Sequence, residues 1–287
     1  MVNKRNIILF FSLFAVSTTS IIVRFIPELS AVAIAFWRMA VASILLWGVS
    51  LVKSQQSLTK TNRRLTIIAG VILGFHFACF FGAIKYTSIA NATLLAALAP
   101  IYTLIIEKVF FKKDFNRLII LGLILALIGL LIIIGFSQFL GNEDLLGRGL
   151  ALLSGMAIAF VFLLSGKVRE KTNTISYTRS LYSSAAVCLL ILGFIGSGPF
   201  LPVSISNIIL LFILGLVPTI FGHSGLYYSI KYSSPTLVAS IPIGEPVIAS
   251  LLALLVLSEA IPLNTGLGGV LVLVGLYLTV RHHEPLI

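Results

Sequence analysis

Of 287 residues, 59% are hydrophobic and 10% charged, and the mean hydropathy is +1.11. A soluble domain of this size could not present such a surface to water, so the chain reads as a multispan membrane protein. The formal charge of +11 follows from where the basic residues sit around a bilayer, and no nucleic-acid partner is invoked.

Residues 65–84, 86–106, 118–142 and 149–166 carry no Asp, Glu, Lys or Arg, and Ser180 to Ile230 is uncharged for 51 residues. That last run is broken by Gly196-Ser197-Gly198-Pro199 and Pro202. Since a bilayer-spanning helix needs about 20 residues, ten spans are predicted: 6–26, 30–52, 65–84, 88–110, 117–136, 149–167, 176–196, 206–229, 234–257 and 263–280. Lys4 and Arg5 before an apolar run imitate a signal peptide, but no small-residue cleavage site follows Ser17-Thr18-Thr19-Ser20, so this stretch is read as span one.

With the N-terminus inside, sixteen of the 20 Lys and Arg residues gather on the inner side. Arg24, Arg38, Lys85 and Arg148 are left outside. This bias predicts a plasma (inner) membrane protein with both termini cytoplasmic.

The chain repeats itself at a fixed offset. Lys85-Tyr86-Thr87-Ser88 recurs 146 residues later as Lys231-Tyr232-Ser233-Ser234, and the same offset carries Pro100 onto Pro246, Gly122 onto Gly268 and Gly129 onto Gly275. Two five-span repeats follow, 1–141 and 142–287. Five is odd, so the second repeat enters the membrane upside down. The expected fold is all-α: ten transmembrane helices as two inverted five-helix repeats around a central cavity.

An ionisable residue at mid-bilayer is costly and marks function by default. Glu245 is the one acid of nine near the centre of a span, inside Pro242-Ile243-Gly244-Glu245-Pro246, while Glu107 and the others are assigned to span ends and loops. Prolines remove backbone donors and loosen the helix, so Pro100, Pro242 and Pro246 are candidate hinges. Glu245 is either a substrate contact or protonatable coupling group, or a neutral carboxyl fixing one helix to another; the first reading is preferred because intramembrane acids face bundle interiors or water paths. His76 and His223, one position from exchange under the repeat, are balanced between a shared cavity and plain packing. Arg38 and Arg179 are an inverted pair near span ends, where snorkelling to the interface is preferred over binding a substrate carboxylate.

Ser17, Thr18, Thr19 and Ser20 of span one, and Asn91, Thr93, Tyr102 and Thr103 of span four, make the first half the more polar wall. Asn91, Tyr102 and Thr19 are the substrate candidates from it, although such hydroxyls equally bond their own backbone. The glycines of spans five and ten suit close helix packing, within the chain or in a homodimer. Cys79 and Cys188 lie inside spans without metal or disulfide spacing, and no metal or cofactor is expected.

Phe36-Trp37-Arg38, the stretch Tyr86 to Ala92 leading to Ala99-Pro100, and Glu245-Pro246-Val247-Ile248-Ala249-Ser250 through Ser258-Glu259 resemble the drug/metabolite transporter superfamily, specifically its EamA-type exporters. The resemblance implies a ten-helix basket whose cavity, lined by spans one, three, four, six, eight and nine, opens alternately to the two faces. One departure is Lys112-Lys113-Asp114, where the family's first repeat often ends in Gly-Glu.

The function expected is secondary transport, export of small metabolites such as amino acids or related amphipathic solutes. No Gly-x-x-x-x-Gly-Lys-Ser/Thr motif is present to bind a nucleotide. The alternatives are an uncoupled facilitator or channel of the same fold and, remotely, an intramembrane serine protease using Gly222-His223-Ser224-Gly225 with His76 as base.

Overall fold

The computed structural model describes residues 2–135, 145–195, 198–202 and 204–283. The boundary between repeats at 141/142, the Gly196-Ser197 break and the acids Glu143, Asp144 and Glu284 lie outside these residues. Among the described residues all regular structure is helical.

Ten helical stretches are long and apolar enough to cross a membrane: Lys4–Val23, Ala31–Val52, Lys60–Tyr86, Asn91–Val109, Arg117–Ile134, Leu145–Arg169, Thr174–Ile195, Ile205–Ser229, Pro235–Leu257 and Leu263–Arg281. They are spans one to ten. Spans three and six begin four or five residues before the apolar runs that mark them, because Lys60, Arg63, Arg64 and Arg148 continue the helix past the hydrocarbon boundary.

Packing follows the repeat. Span one lies on span eight and span six on span three; exchanging the repeats turns each pair into the other. Spans two and seven pack together, as do five and ten and four and nine, and exchange returns each of these pairs to itself. Loop contacts assign the faces. The loop after span two joins the loop after span six through Gln56 Nε2 to the Lys171 carbonyl (2.9 Å) and Asn62 Nδ2 to Thr172 Oγ1 (2.9 Å). The far end of span two meets the stretch before span eight through Trp37 Nε1 to the Phe200 carbonyl (2.9 Å). The side of Lys4, Gln56, Lys171 and Arg281 is called the basic face below.

Spans five and ten cross in antiparallel contact at glycines. A Cβ on Gly122 would stand 2.6 Å from the Gly275 carbonyl oxygen, and one on Gly129 2.5 Å from that of Gly268. Under the repeat Gly122 is Gly268 and Gly129 is Gly275, so the two contacts are one contact seen from both halves. These four glycines are taken up inside the chain. A homodimer on these spans would have to use their outward leucines and Gly266, which has open space around it.

Candidate substrate site

Spans four and nine are interrupted at equivalent places. Span four is Ile89–Ala96 followed by Ala99–Val109; span nine is Pro235–Ser240, a tighter turn Ile241–Gly244, then Glu245–Leu257. The first pieces are capped by Ser88 and Ser234, 146 residues apart, whose hydroxyls accept from the Asn91 and Leu237 amides at 3.1 Å. Pro100 and Pro246 each hold the second position of the following piece, and Pro242 sits in the tight turn. Glu245 opens its piece, where the positive end of the helix dipole favours a carboxylate. Its repeat counterpart is Ala99, so the acid belongs to one half alone.

Span eight departs from α geometry at its centre. Gly215–His223 is a wide π turn of 9 residues containing Pro218, which cannot donate to the Leu214 carbonyl. The widened turn passes that carbonyl to the amide five residues on, and the Thr219 hydroxyl bonds it as well at 2.9 Å. The Thr219 carbonyl in turn accepts from the Tyr182 hydroxyl at 3.2 Å, and Tyr182 lies 3.0 Å from Ser224 Oγ. Arg38 Nε donates to Thr219 Oγ1 at 3.2 Å, and its guanidinium lies 5.5 Å from the centre of the Phe77 ring.

This corrects the snorkelling reading of Arg38. The side chain is 6% exposed and turns inward, because Thr219 and Phe77 receive it there. Its inverted partner Arg179 stacks instead on Trp47, with the guanidinium 4.2 Å from the ring centre.

Arg38 is the positive centre of a group that includes Glu245, His76 and His223, on all of which its charge acts. Arg38 and Glu245 nevertheless make no contact pair: among the described residues, the ion pairs within 4 Å are Arg24–Glu259 and Glu107–Lys113. Glu245, His76 and His223 lie deep among the spans, yet each keeps part of its surface accessible. His76 Nδ1 stands 2.9 Å from both the carbonyl and the hydroxyl of Ser154. A carbonyl only accepts, so Nδ1 carries the proton and Nε2 is left without one.

Toward the basic face the group is closed by buried rings. Tyr227 has Phe162, Tyr177 and Tyr182 around it at centroid distances of 6.0, 5.6 and 6.4 Å, and Arg169 Nε holds the Tyr227 carbonyl at 3.0 Å. Residues 236–241 of span nine are all buried, whereas beyond the break Val247 alone of Glu245–Leu257 is.

The remaining candidates stand apart from this group. Asn91 is buried near the start of span four, about 9 Å of helix from the break. Tyr102 and Thr19 are half-buried and their hydroxyls make no hydrogen bond among the described residues. Ser17, Thr18, Ser20, Thr93 and Thr103 bond carbonyls of their own helices, so most of the polar wall is internal to single spans. Ser224 has Tyr182 and Thr219 as partners, and His76 is engaged by Ser154, so the nucleophile and base of a protease are not assembled. Thr219 and Tyr182 were not foreseen; the signal was Pro218 inside an uncharged span, where a proline forces the helix out of α register.

Among the described residues no three His, Cys, Asp or Glu side chains gather as a metal site. A helical membrane bundle with a charged, partly accessible centre and paired discontinuous helices defines a transporter-type fold, and a solved crystal structure shares it with a TM-score of 0.82 over 96% of both chains at 16% identity. The EamA-like transporter family matches residues 4–135 and again 145–281, and the chain belongs to that family. An uncharacterized transporter of Archaeoglobus fulgidus is 28% identical over 88% of this chain and 90% of its own length. An uncharacterized transporter of Bacillus subtilis is 24% identical over 90% and 83%. The pseudopaline exporter CntI of Pseudomonas aeruginosa is 23% identical over 74% and 72%. These relatives are transporters, not enzymes.

Proposed function

We propose that this transporter exports small zwitterionic metabolites, amino acids or related amphipathic solutes, by alternating access, with residues 1–141 and 142–287 as the two rocking repeats. The observation that carries the reading is the separation of Arg38 from Glu245: opposite charges deep in an apolar bundle that do not touch. Two such charges attract strongly at low dielectric and would close on each other unless something stood between them. A solute carboxylate on Arg38 and its ammonium on Glu245 would complete both. His76 and His223 flank the same pair of charges. Asn91, Tyr102 and Thr19 lie along the approaches, and Pro100, Pro242 and Pro246 are the hinges. The basic face is the cytoplasmic one in this reading, in the plasma membrane, and the relative named as an exporter supports the outward direction.

The test is counterflow in proteoliposomes with a panel of labelled amino acids, each set against its amide and its decarboxylated amine. Exchange of the zwitterion but not of either truncated form supports the site; exchange of the amine alone removes the role of Arg38. An uncoupled facilitator of the same fold is distinguished by imposing a pH gradient, which it would not convert into uphill solute movement.

A further inference from the structure

Glu107 closes the last turn of span four and is 3% exposed, although its place beside Lys108 marks it in the sequence as an interfacial charge. Both carboxylate oxygens are occupied. Oε1 accepts from Lys113 Nζ at 3.2 Å; Oε2 accepts from the Thr236 backbone N–H at 2.9 Å and from its hydroxyl at 2.6 Å. Thr236 stands in the first turn of span nine, whose amides have no partner within their own helix. Glu107 therefore ties the basic-face end of span four to that of span nine. A second tie lies beside it: His283, just past span ten, accepts the Ser234 N–H on Nε2 at 2.8 Å.

The repeat makes this arrangement one-sided. Exchange carries Glu107 to Ala253 and Thr236 to Ala90, and neither alanine has a side chain that hydrogen-bonds. The ion pair on the opposite face, Arg24–Glu259, has both side chains about half exposed, and an exposed ion pair contributes little; Trp37 Nε1 to the Phe200 carbonyl is another tie on that side. The bonds to Glu107 are buried and charge-assisted, a stronger kind.

We propose that Glu107 is a latch that holds the carrier shut toward the basic face, so that the resting conformation is open toward the opposite face. Access from the basic face begins when Glu107 releases Thr236. The inference rests on the alternating-access reading above, and the two are tested apart.

In a Cys79→Ser, Cys188→Ser background, Ser233→Cys reports on the basic face, where Ser233 is fully buried, and Ser250→Cys reports on the half-buried wall beyond Glu245. Labelling by a charged, membrane-impermeant maleimide is timed with and without Glu107→Ala. Loss of a buried charged hydrogen bond should raise the Ser233→Cys rate at least about tenfold and lower the Ser250→Cys rate by a similar factor. Thr236→Val, which removes the hydroxyl bond alone, should shift both rates the same way by less, and serves if Glu107→Ala does not fold. A faster Ser233→Cys with Ser250→Cys unchanged or also faster is local loosening and overturns the latch, as do two unmoved rates. Any solute found by counterflow should move the two rates inversely with Glu107 intact. If it does while Glu107→Ala does not, the latch falls and the carrier stands; if neither does, the carrier reading falls.

Discussion

Lys112 and Ser258 lie 146 residues apart and, among the described residues, are the two non-glycine positions in the left-handed backbone region, at φ 51° and 55°. Each ends a central span, and the residue after each reaches back six positions: Lys113 N–H to the Glu107 carbonyl at 3.1 Å, Glu259 N–H to the Ala253 carbonyl at 3.3 Å. This is the same helix-stop motif used twice. A left-handed L-residue costs roughly 1–2 kcal/mol, against about 0.5–1 kcal/mol for the extra freedom glycine brings to the unfolded chain. We expect Ser258→Gly to raise the melting temperature slightly in detergent and Ser258→Val to lower it. A lower melting temperature for the glycine variant would mean that the hydroxyl matters more than the backbone.

The glycine crossing of spans five and ten gives a steeper expectation. A methyl at Gly129 would stand 2.5 Å from the backbone oxygen of Gly268, and backbone cannot swing aside as a side chain can. Gly129→Ala should cost about 1–3 kcal/mol as overpacking does. Gly266→Ala, on the same pair of spans but in open space, should leave stability within about 0.5 kcal/mol of wild type. Equal effects of the two would mean that the crossing relaxes to admit the methyl and sets no cost of its own.

Arg38 and Glu245 should behave as one electrostatic unit. Neutralising either leaves the other as an uncompensated charge inside the bundle, a loss of about 3–5 kcal/mol for a buried pair in contact and less at their separation. Arg38→Gln with Glu245→Gln should therefore be more stable than the sum of the two single losses, by about 1 kcal/mol or more in a double-mutant cycle. Strict additivity would show that each charge is balanced by something else. Arg38→Lys keeps the charge but cannot reproduce both the Nε bond to Thr219 and a planar group beside Phe77, so counterflow should drop about tenfold with stability largely kept.

The sequence makes the spans, the repeat and its inversion legible because apolar run length and register are one-dimensional properties, and it singles out Glu245 for the same reason. What it does not carry is azimuth. Arg38 and Arg179 stand in the corresponding spans two and seven, five positions out of register under the repeat, and which way each turns depends on the neighbour that waits there, Thr219 for one and Trp47 for the other. Glu107 is hidden by the same limit: beside Lys108 at a helix end it looks solvated, and only the approach of span nine buries it. The π turn was signalled by Pro218, but its consequence, a threonine hydroxyl turned to receive Arg38, needs the neighbouring spans in place.

His283 gives a pH test that does not depend on knowing the solute. Its ring is buried near Arg5 and Lys113 and accepts the Ser234 N–H on Nε2, so protonation would remove the acceptor and add a third positive charge. Burial first, then those two cations, push its pKa down from 6.5 to about 4. Above about pH 6.5 the ring is neutral whether the chain is folded or not, and the tie contributes in full. Between about 6.5 and 4 the unfolded chain binds a proton that the folded one refuses, so stability falls as the pH falls; below about 4 both forms are protonated and this contribution levels off. His283→Gln offers a carbonyl oxygen to the same amide and cannot titrate. Melting temperatures from pH 7.5 to 4 should therefore fall less steeply in the variant, with the two curves converging in shape above about pH 6.5. Parallel curves across the whole range would mean that His283 titrates alike in both states and is not held as an acceptor against span nine.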